Sequence, residues 1–371
     1  MSTPTAEVVH QLLGLLTHPS AALLSEVRSW DALLALGRYH AILPLLYRKL
    51  EPFDLPADVR RSLRQHYTAN LARNLHLQAE QEALLGAFET AGVPVIPLKG
   101  LRWAEEFYGD LALRLIDDLD LLVRPEDWER ADRQLSACGF APVVVLRERQ
   151  LRSARTLLYR KETGVPIFID LHFRLLPYGR EDPFAASLWR EPLTQETLLL
   201  CLCLNFYTHR FARLKFALDL VAFLQRTRAT LDWDLVVARA QEFGFTRLCY
   251  YSLRLAAALS GQTISALARL APGGFEQRWT ERLLGADPSV IFARAERLAG
   301  PYGVLALLVC QAGVGRRAAF ARDILFPTRS AIRQDYWQQP ERSLVGCYFD
   351  RWVRKGSRAV RDSVSIVFSR T

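Results

Sequence analysis

Few segments of this chain leave as little freedom as Leu115-Ile116-Asp117-Asp118-Leu119-Asp120-Leu121-Leu122-Val123. Read as a strand, it places Asp118 and Asp120 on one face, with Leu119 and Leu121 pointing the other way into a core. Two carboxylates side by side on a leucine-rich strand repel each other and desolvate badly unless a cation lies between them. A divalent metal resolves the conflict. Mg²⁺ in particular takes one or two carboxylates together with substrate phosphates, rather than an all-protein cage. The same alternation in Ile167-Phe168-Ile169-Asp170-Leu171-His172-Phe173 puts Asp170 and His172 on a common face. If the two strands are neighbours, three aspartates converge. That is the arrangement for a two-metal site with ions about 3.5–4 Å apart, clamping the entering and leaving oxygens of a phosphoryl displacement. The competing explanation is a solvated strand end that binds nothing.

The flanking sequence predicts an α+β fold: a small mixed β-sheet core between N-terminal and C-terminal helical regions. Residues 1–90 read as helices, with Val8, Leu12, Leu13 and Leu16 at helical spacing. Pro44 kinks or restarts a helix in this stretch, and Ala57 to Glu89 forms one long helix ending near Gly92. Residues 91–180 alternate strand and helix. Val93–Leu98 is a short strand, Leu101–Tyr108 a helix, Leu115–Val123 a second strand, and Pro125 opens a helix that Cys138-Gly139 closes. Three further strands are expected at Pro142–Leu146, Arg155–Lys161 and Val165–Phe173, the last two joined by a hairpin turn at Glu162-Thr163-Gly164. Residues 181–371 return to helices, among them Phe211–Gln225. At 371 residues the chain is long enough for two or three domains.

Composition narrows the class of function. Half the residues are apolar and 23% are charged, a globular balance. The net charge is +9, yet only five of the 48 basic residues are lysine, which points to arginine-favouring codon usage more than to an adaptation for nucleic acid. Most of the excess lies from Arg316 onward, where twelve basic residues face five acidic ones. Six cysteines show no CxxC or zinc spacing, no leader is evident, and no apolar run approaches the ~20 residues of a membrane span. A cytoplasmic protein with reduced thiols is expected, and no membrane partner.

Lys99-Gly100 stands where a strand turns into a helix. Glycine there lets backbone approach a phosphate closely, the new helix N-terminus favours the anion, and Lys99 adds a point charge. Arg114 lies four residues before Asp118, where it either reaches a phosphate or balances Asp117 or Asp110. His172 lines an acceptor pocket or is a hydrogen-bonded core group. Lys215 and Asp219 stand i,i+4 on a helix and by default form a solvated ion pair; His209 and Arg213 make a similar pair on a helix face.

Together, Leu98-Lys99-Gly100, Tyr108, Arg114, Asp118-Leu119-Asp120-Leu121-Leu122 and Asp170-Leu171-His172 resemble the signature of a family of mostly uncharacterised bacterial nucleotidyltransferases. That family falls within the DNA polymerase β-type superfamily. The resemblance extends to His40 with Pro44-Leu45-Leu46, to His209, Arg213-Leu214-Lys215 and Asp219, and to Leu325-Phe326-Pro327 with Tyr348 and Arg351. It implies that Asp118 and Asp120 coordinate two Mg²⁺ with Asp170 as third carboxylate, and that an acceptor hydroxyl attacks the α-phosphate of a nucleoside triphosphate, ATP being the expected donor. It also lifts Lys215 to a nucleotide contact, beside Lys99, Gly100 and Arg114. Two departures stand out. The superfamily usually carries Gly-Ser or Gly-Gly at the strand–helix turn, and the stretch from Gly100 to Asp118 is longer than usual.

The acceptor is left open as a small molecule, peptide or protein. A non-catalytic nucleotide- or partner-binding scaffold of the same fold is one alternative. The other is a polynucleotide-adding enzyme using the basic, aromatic-interleaved C-terminus; that region also reads as a solvated cationic cap, so nucleic acid is not the expected partner.

Overall fold

The structure is a computed structural model describing residues 6–144, 154–176, 181–284, 287–299, 301–311, 314–327 and 341–350, together with positions 329, 332, 336 and 339. Four helices open it: α1 (Ala6–Thr17), α2 (Ala21–Ser25), α3 (Trp30–Tyr39) and α4 (Leu43–Leu50). Ser20 and Ser29 cap α2 and α3 by accepting from the Leu23 and Ala32 amides. Pro44 lies in the first turn of α4 and so restarts a helix instead of kinking one.

Helix α5 (Ala57–Thr90) is the spine of the molecule. Its buried residues Val59, Leu63, Asn70, Asn74, Leu77, Leu84 and Phe88 recur at three-, four- and seven-residue steps along one stripe. Two members of that stripe are asparagines, and they have a specific task. Asn70 Nδ2 donates to the carbonyls of Ala112 and Arg114, and Asn74 Nδ2 to those of Leu111 and Arg114. Arg73 adds bonds to the Ile116 and Asp117 carbonyls. The backbone leading to the acidic strand is therefore satisfied by a helix.

That explains a difference from the sequence expectation. The second strand is β2 (Leu119–Leu122), not Leu115–Val123, because the carbonyls of residues 116 and 117 are taken by Arg73 and Asp118 precedes the ladder. The sheet has the order β1-β2-β5-β4-β3, with β1 (Ile96–Pro97), β3 (Ala141–Pro142), β4 (Thr156–Lys161) and β5 (Ile167–His172). Only β2 and β5 pair in parallel; the hairpin β4–β5 and the outer pairs are antiparallel. Leu146, the expected end of the third strand, lies outside the described residues.

Between β1 and β2, helix α6 (Leu101–Trp103) widens into a π-turn over Ala104–Tyr108. Helix α7 (Trp128–Ala137) ends at Gly139, whose φ of +85° closes it as expected. After the sheet come α8 (Pro183–Ser187), α9 (Gln195–Thr208), α10 (Leu214–Thr227), α11 (Trp233–Glu242) and α12 (Thr246–Ser260). Shorter helices follow: α13 (Leu267–Leu270), α14 (Gly274–Leu284), α15 (Pro288–Ala293), α16 (Ala295–Ala299), α17 (Pro301–Val309) and α18 (Val314–Leu325). Helix α10 begins three residues later than expected because Arg210 and Phe211, at φ +60° and +57°, turn the chain between α9 and α10.

The fold is thus helix-rich α+β around a small mixed sheet. One apolar cluster joins α1, α3 and α4 to α8–α12 and helices beyond them. A second lies under the sheet, where Leu119, Leu121, Ile169 and Leu171 meet Leu77, Leu84 and Phe88 of α5. The opposite, polar face of the sheet looks toward α9 and the start of α10. Among the described residues no helix is long and apolar enough to cross a membrane, and all six cysteines are free.

Candidate active site

The parallel register sets Asp120 directly opposite Asp170 and Leu122 opposite His172. His172 Nε2 lies 2.9 Å from Asp120 Oδ1 and 3.5 Å from Asp170 Oδ2. One ligand atom each from Asp120, Asp170 and His172 lies within 4.8 Å of the others, a group with the donors to hold a metal ion. Asp118, just ahead of β2 and half-buried, lines the same cleft as these three. The cleft has a volume of about 420 Å³, within the range of small-molecule sites. Its other wall comes from Leu204, Asn205 and Thr208 of α9, with His209 just beyond.

The carboxylates differ in their surroundings. Burial, then the charge of Asp120, pushes Asp118 up to about 6, with Lys99 opposing and Asp170 adding to the rise. Burial would also raise Asp120, but Lys99 and His172 hold it well below the usual carboxylate range. Lys99 Nζ sits 3.0 Å from Asp120 Oδ1, and although its burial favours the neutral amine, Asp120 and Asp118 keep its pKa raised. The two neighbouring acids are thus driven in opposite directions by their surroundings. Among the described residues His172 Nδ1 is buried without a hydrogen-bond partner, so the ring is not a fully satisfied core group.

A smaller recess of about 80 Å³ adjoins Asp118 and Asp120 and is bordered by Lys99, Gly100, Arg114 and Lys215. Gly100 has φ +88° and ψ −118°, a conformation open to glycine alone, which fits the expected tight turn after β1. Lys215 Nζ pairs with Asp117 at 2.9 Å, reaching from α10 to the loop before β2.

Several pairings differ from the sequence reading. Arg114 pairs with neither Asp117 nor Asp110. It is buried, donates to both oxygens of Asp219 at 3.0–3.1 Å, and lies over the Trp103 ring. Tyr108 Oη also donates to Asp219, at 2.9 Å. Asp219 is therefore fully buried and is not the solvated partner of Lys215; the carboxylate compensates the charge that Arg114 brings into the interior. Asp110 instead takes Arg48 at 2.7 Å and Tyr67 at 2.8 Å. His209 and Arg213 share no helix face: His209 caps the end of α9 and stacks on Phe216, whereas Arg213 opens α10 and lies over Tyr39.

Sequence reasoning also missed residues. Asn70, Arg73 and Asn74 fix the loop before Asp118, and two asparagines on an otherwise apolar stripe were the signal that could have found them. Arg155, just ahead of β4, lines the same cleft, and no local pattern distinguishes it in an arginine-rich chain.

A small mixed sheet enclosed by helices, with two aspartates and a histidine gathered beside a lysine–glycine turn and Asp118 lining the same cleft, defines a class of α+β protein with a carboxylate-lined cleft. The chain belongs to the family described as uncharacterised nucleotidyltransferase, whose model matches residues 26–261. That membership supports a transferase acting in nucleotidyl transfer, with a nucleoside triphosphate as substrate. No curated protein and no solved structure matches the chain. The family match includes every aspartate, lysine and arginine of the candidate site but ends before Leu325-Phe326-Pro327 and Tyr348, where the sequence resemblance also extended. Arg351 lies outside the described residues.

Proposed function

We propose that this protein is a Mg²⁺-dependent nucleotidyltransferase that moves a nucleoside monophosphate from ATP to the hydroxyl of a small-molecule, peptide or protein acceptor. One observation carries the reading: the parallel pairing of β2 with β5, which faces Asp120 with Asp170 at a cleft that Asp118 also lines. The donor set fits the metal. Carboxylate oxygens suit a hard divalent cation, and Asp118, held up to about 6 by burial and by Asp120, is a group whose ionisation a cation would favour. Bound there, Mg²⁺ would polarise the α-phosphate and acidify the acceptor hydroxyl.

The chain's own residues divide the remaining work. Asp120, Asp170 and His172 would hold the cation between them, with Asp118, which lines the same cleft, as the further carboxylate. Asp170 takes the proton of the acceptor hydroxyl on a carboxylate oxygen. The acceptor oxygen then bonds to the α-phosphorus as the bond to the β-phosphate breaks, and pyrophosphate leaves. The tight turn at Gly100 brings backbone close to the triphosphate, while Lys99 and Lys215 oppose its charge. Arg114 serves that end at one remove, by locking α10 through Asp219.

Each of the four α-labelled nucleoside triphosphates, incubated with Mg²⁺ and cell extract, tests the proposal. Wild type should label an acceptor, best with ATP. Asp118→Asn and Asp120→Asn should abolish labelling, and Asp170→Asn should slow it by about 10²–10⁴-fold as a lost general base does. Equal labelling by wild type and Asp118→Asn, or ATP binding with no transfer from any extract, would overturn it. The second result would leave a nucleotide-binding scaffold.

A further inference from the structure

We propose that Arg155 anchors a phosphate-class oxyanion of a substrate at the end of the cleft beyond Asp170, an assignment that rests on the nucleotidyl-transfer reading. Each of the other cations around the carboxylates has an acidic partner. Lys99 holds Asp120 at 3.0 Å, Lys215 holds Asp117 at 2.9 Å, and Arg114 is engaged by Asp219. Arg155 lines the same cleft, half-buried, and among the described residues its side chain makes one hydrogen bond, from Nη1 to the Leu175 carbonyl at 3.4 Å. A guanidinium presents five N–H donors in a planar fork matched to phosphate oxygens. Among the described residues the rest of that capacity has no protein partner.

The backbone fixes where this fork sits. The Arg155 carbonyl accepts from the amides of Phe173 and Arg174 at 2.9 and 3.3 Å, just past the end of β5. Leu175, which receives the side chain, is itself held by its amide to Asp182 Oδ2 at 2.6 Å. Strand order then sets the charges in a row. Lys99 follows β1, Asp118 immediately precedes β2 and Asp120 lies in it, Asp170 and His172 belong to β5, and Arg155 immediately precedes β4. The acids are flanked by a cation on either side, and among the described residues of this row only Arg155 lacks an acidic partner. Asn205 of α9 lines the same cleft and offers an amide, whereas the Thr208 hydroxyl there already donates to the Asn205 carbonyl at 2.9 Å; Leu175 and Leu204 complete this lining. A hydroxyl-bearing acceptor with an anionic group fits this end, its hydroxyl at Asp170 and its oxyanion on Arg155. The outer phosphates of the donor are the other source of the same chemistry.

The test titrates inorganic phosphate, and separately ATP with Mg²⁺, into the full-length wild type, Arg155→Gln and Arg155→Lys. Phosphate should bind wild type at least ten times more tightly than Arg155→Gln. Arg155→Lys, which retains the charge without the fork, should fall between, and thermal midpoints establish that the variants are folded. If ATP affinity is unchanged in Arg155→Gln, the oxyanion belongs to the acceptor; if ATP binding weakens tenfold, it belongs to the donor. Binding of both probes to Arg155→Gln as to wild type overturns the assignment, and so does a wild type that binds no phosphate while ATP affinity is unaltered. The nucleotidyl-transfer reading fails separately, through labelling that Asp118→Asn leaves intact.

Discussion

Gly100 shows how a single residue sets the donor end of the cleft. At φ +88° and ψ −118° the backbone occupies a region that side-chain-bearing residues avoid. Space is not the obstacle, since an added Cβ would meet only Ile116 Cγ2 at 3.7 Å. Gly100→Ala should therefore lose about 1–3 kcal/mol of stability through backbone strain alone, read as a lower urea midpoint with an unchanged m-value. A substitution without effect would mean that the turn relaxes freely, and with it the position of Lys99. The alternation of acids and leucines around Asp120 and Asp170 was legible at this scale, because a strand has only two faces and leucine occupies one of them. The fate of each cation was not. Whether Lys99 meets a phosphate or an aspartate, and which acid Arg114 finds, depends on residues up to 105 positions away.

Among elements, α10 shows why spacing misleads. Lys215 and Asp219 are four apart, and on an isolated helix they would pair in solvent. Here α10 packs against the π-turn of Ala104–Tyr108, so Asp219 faces inward to Arg114 and Tyr108 while Lys215 reaches Asp117. Asp219→Ala leaves a buried guanidinium uncompensated and should cost about 3–5 kcal/mol in chemical denaturation. Replacing both partners with apolar residues, as in Arg114→Met with Asp219→Leu, should recover most of that loss. If the double variant is no more stable than Asp219→Ala, the deficit comes from packing and not from the stranded charge. Helix α5 hides its role in the same way. Asn70 and Asn74 belong to the buried stripe by period, but nothing local reveals that the carbonyls they satisfy lie some forty residues ahead.

Across the whole molecule, the helices before and after the sheet share one apolar cluster, and His40 is a buried polar group at their junction. Its Nδ1 accepts from the Leu214 amide at 3.2 Å, tying the end of α3 to the start of α10, and its ring packs edge-on against Phe292 of α15. Burial first, and then the charge of Arg213, lowers its pKa to about 3. The folded chain therefore keeps this imidazole neutral at pH values where the unfolded chain, titrating near 6.5, takes up a proton. Stability from this source is complete above about pH 6.5 and is lost as pH falls toward 3, at up to ~1.4 kcal/mol per unit. Between pH 7 and pH 5 the loss amounts to about 2 kcal/mol. Asn at this position keeps an acceptor for the Leu214 amide but does not titrate. The stability advantage of wild type over His40→Asn should thus shrink by about 2 kcal/mol between those two pH values, measured by urea denaturation. An advantage that stays constant would show that the unfolded and folded chains protonate residue 40 alike, and that the junction of the two helical regions is open to water.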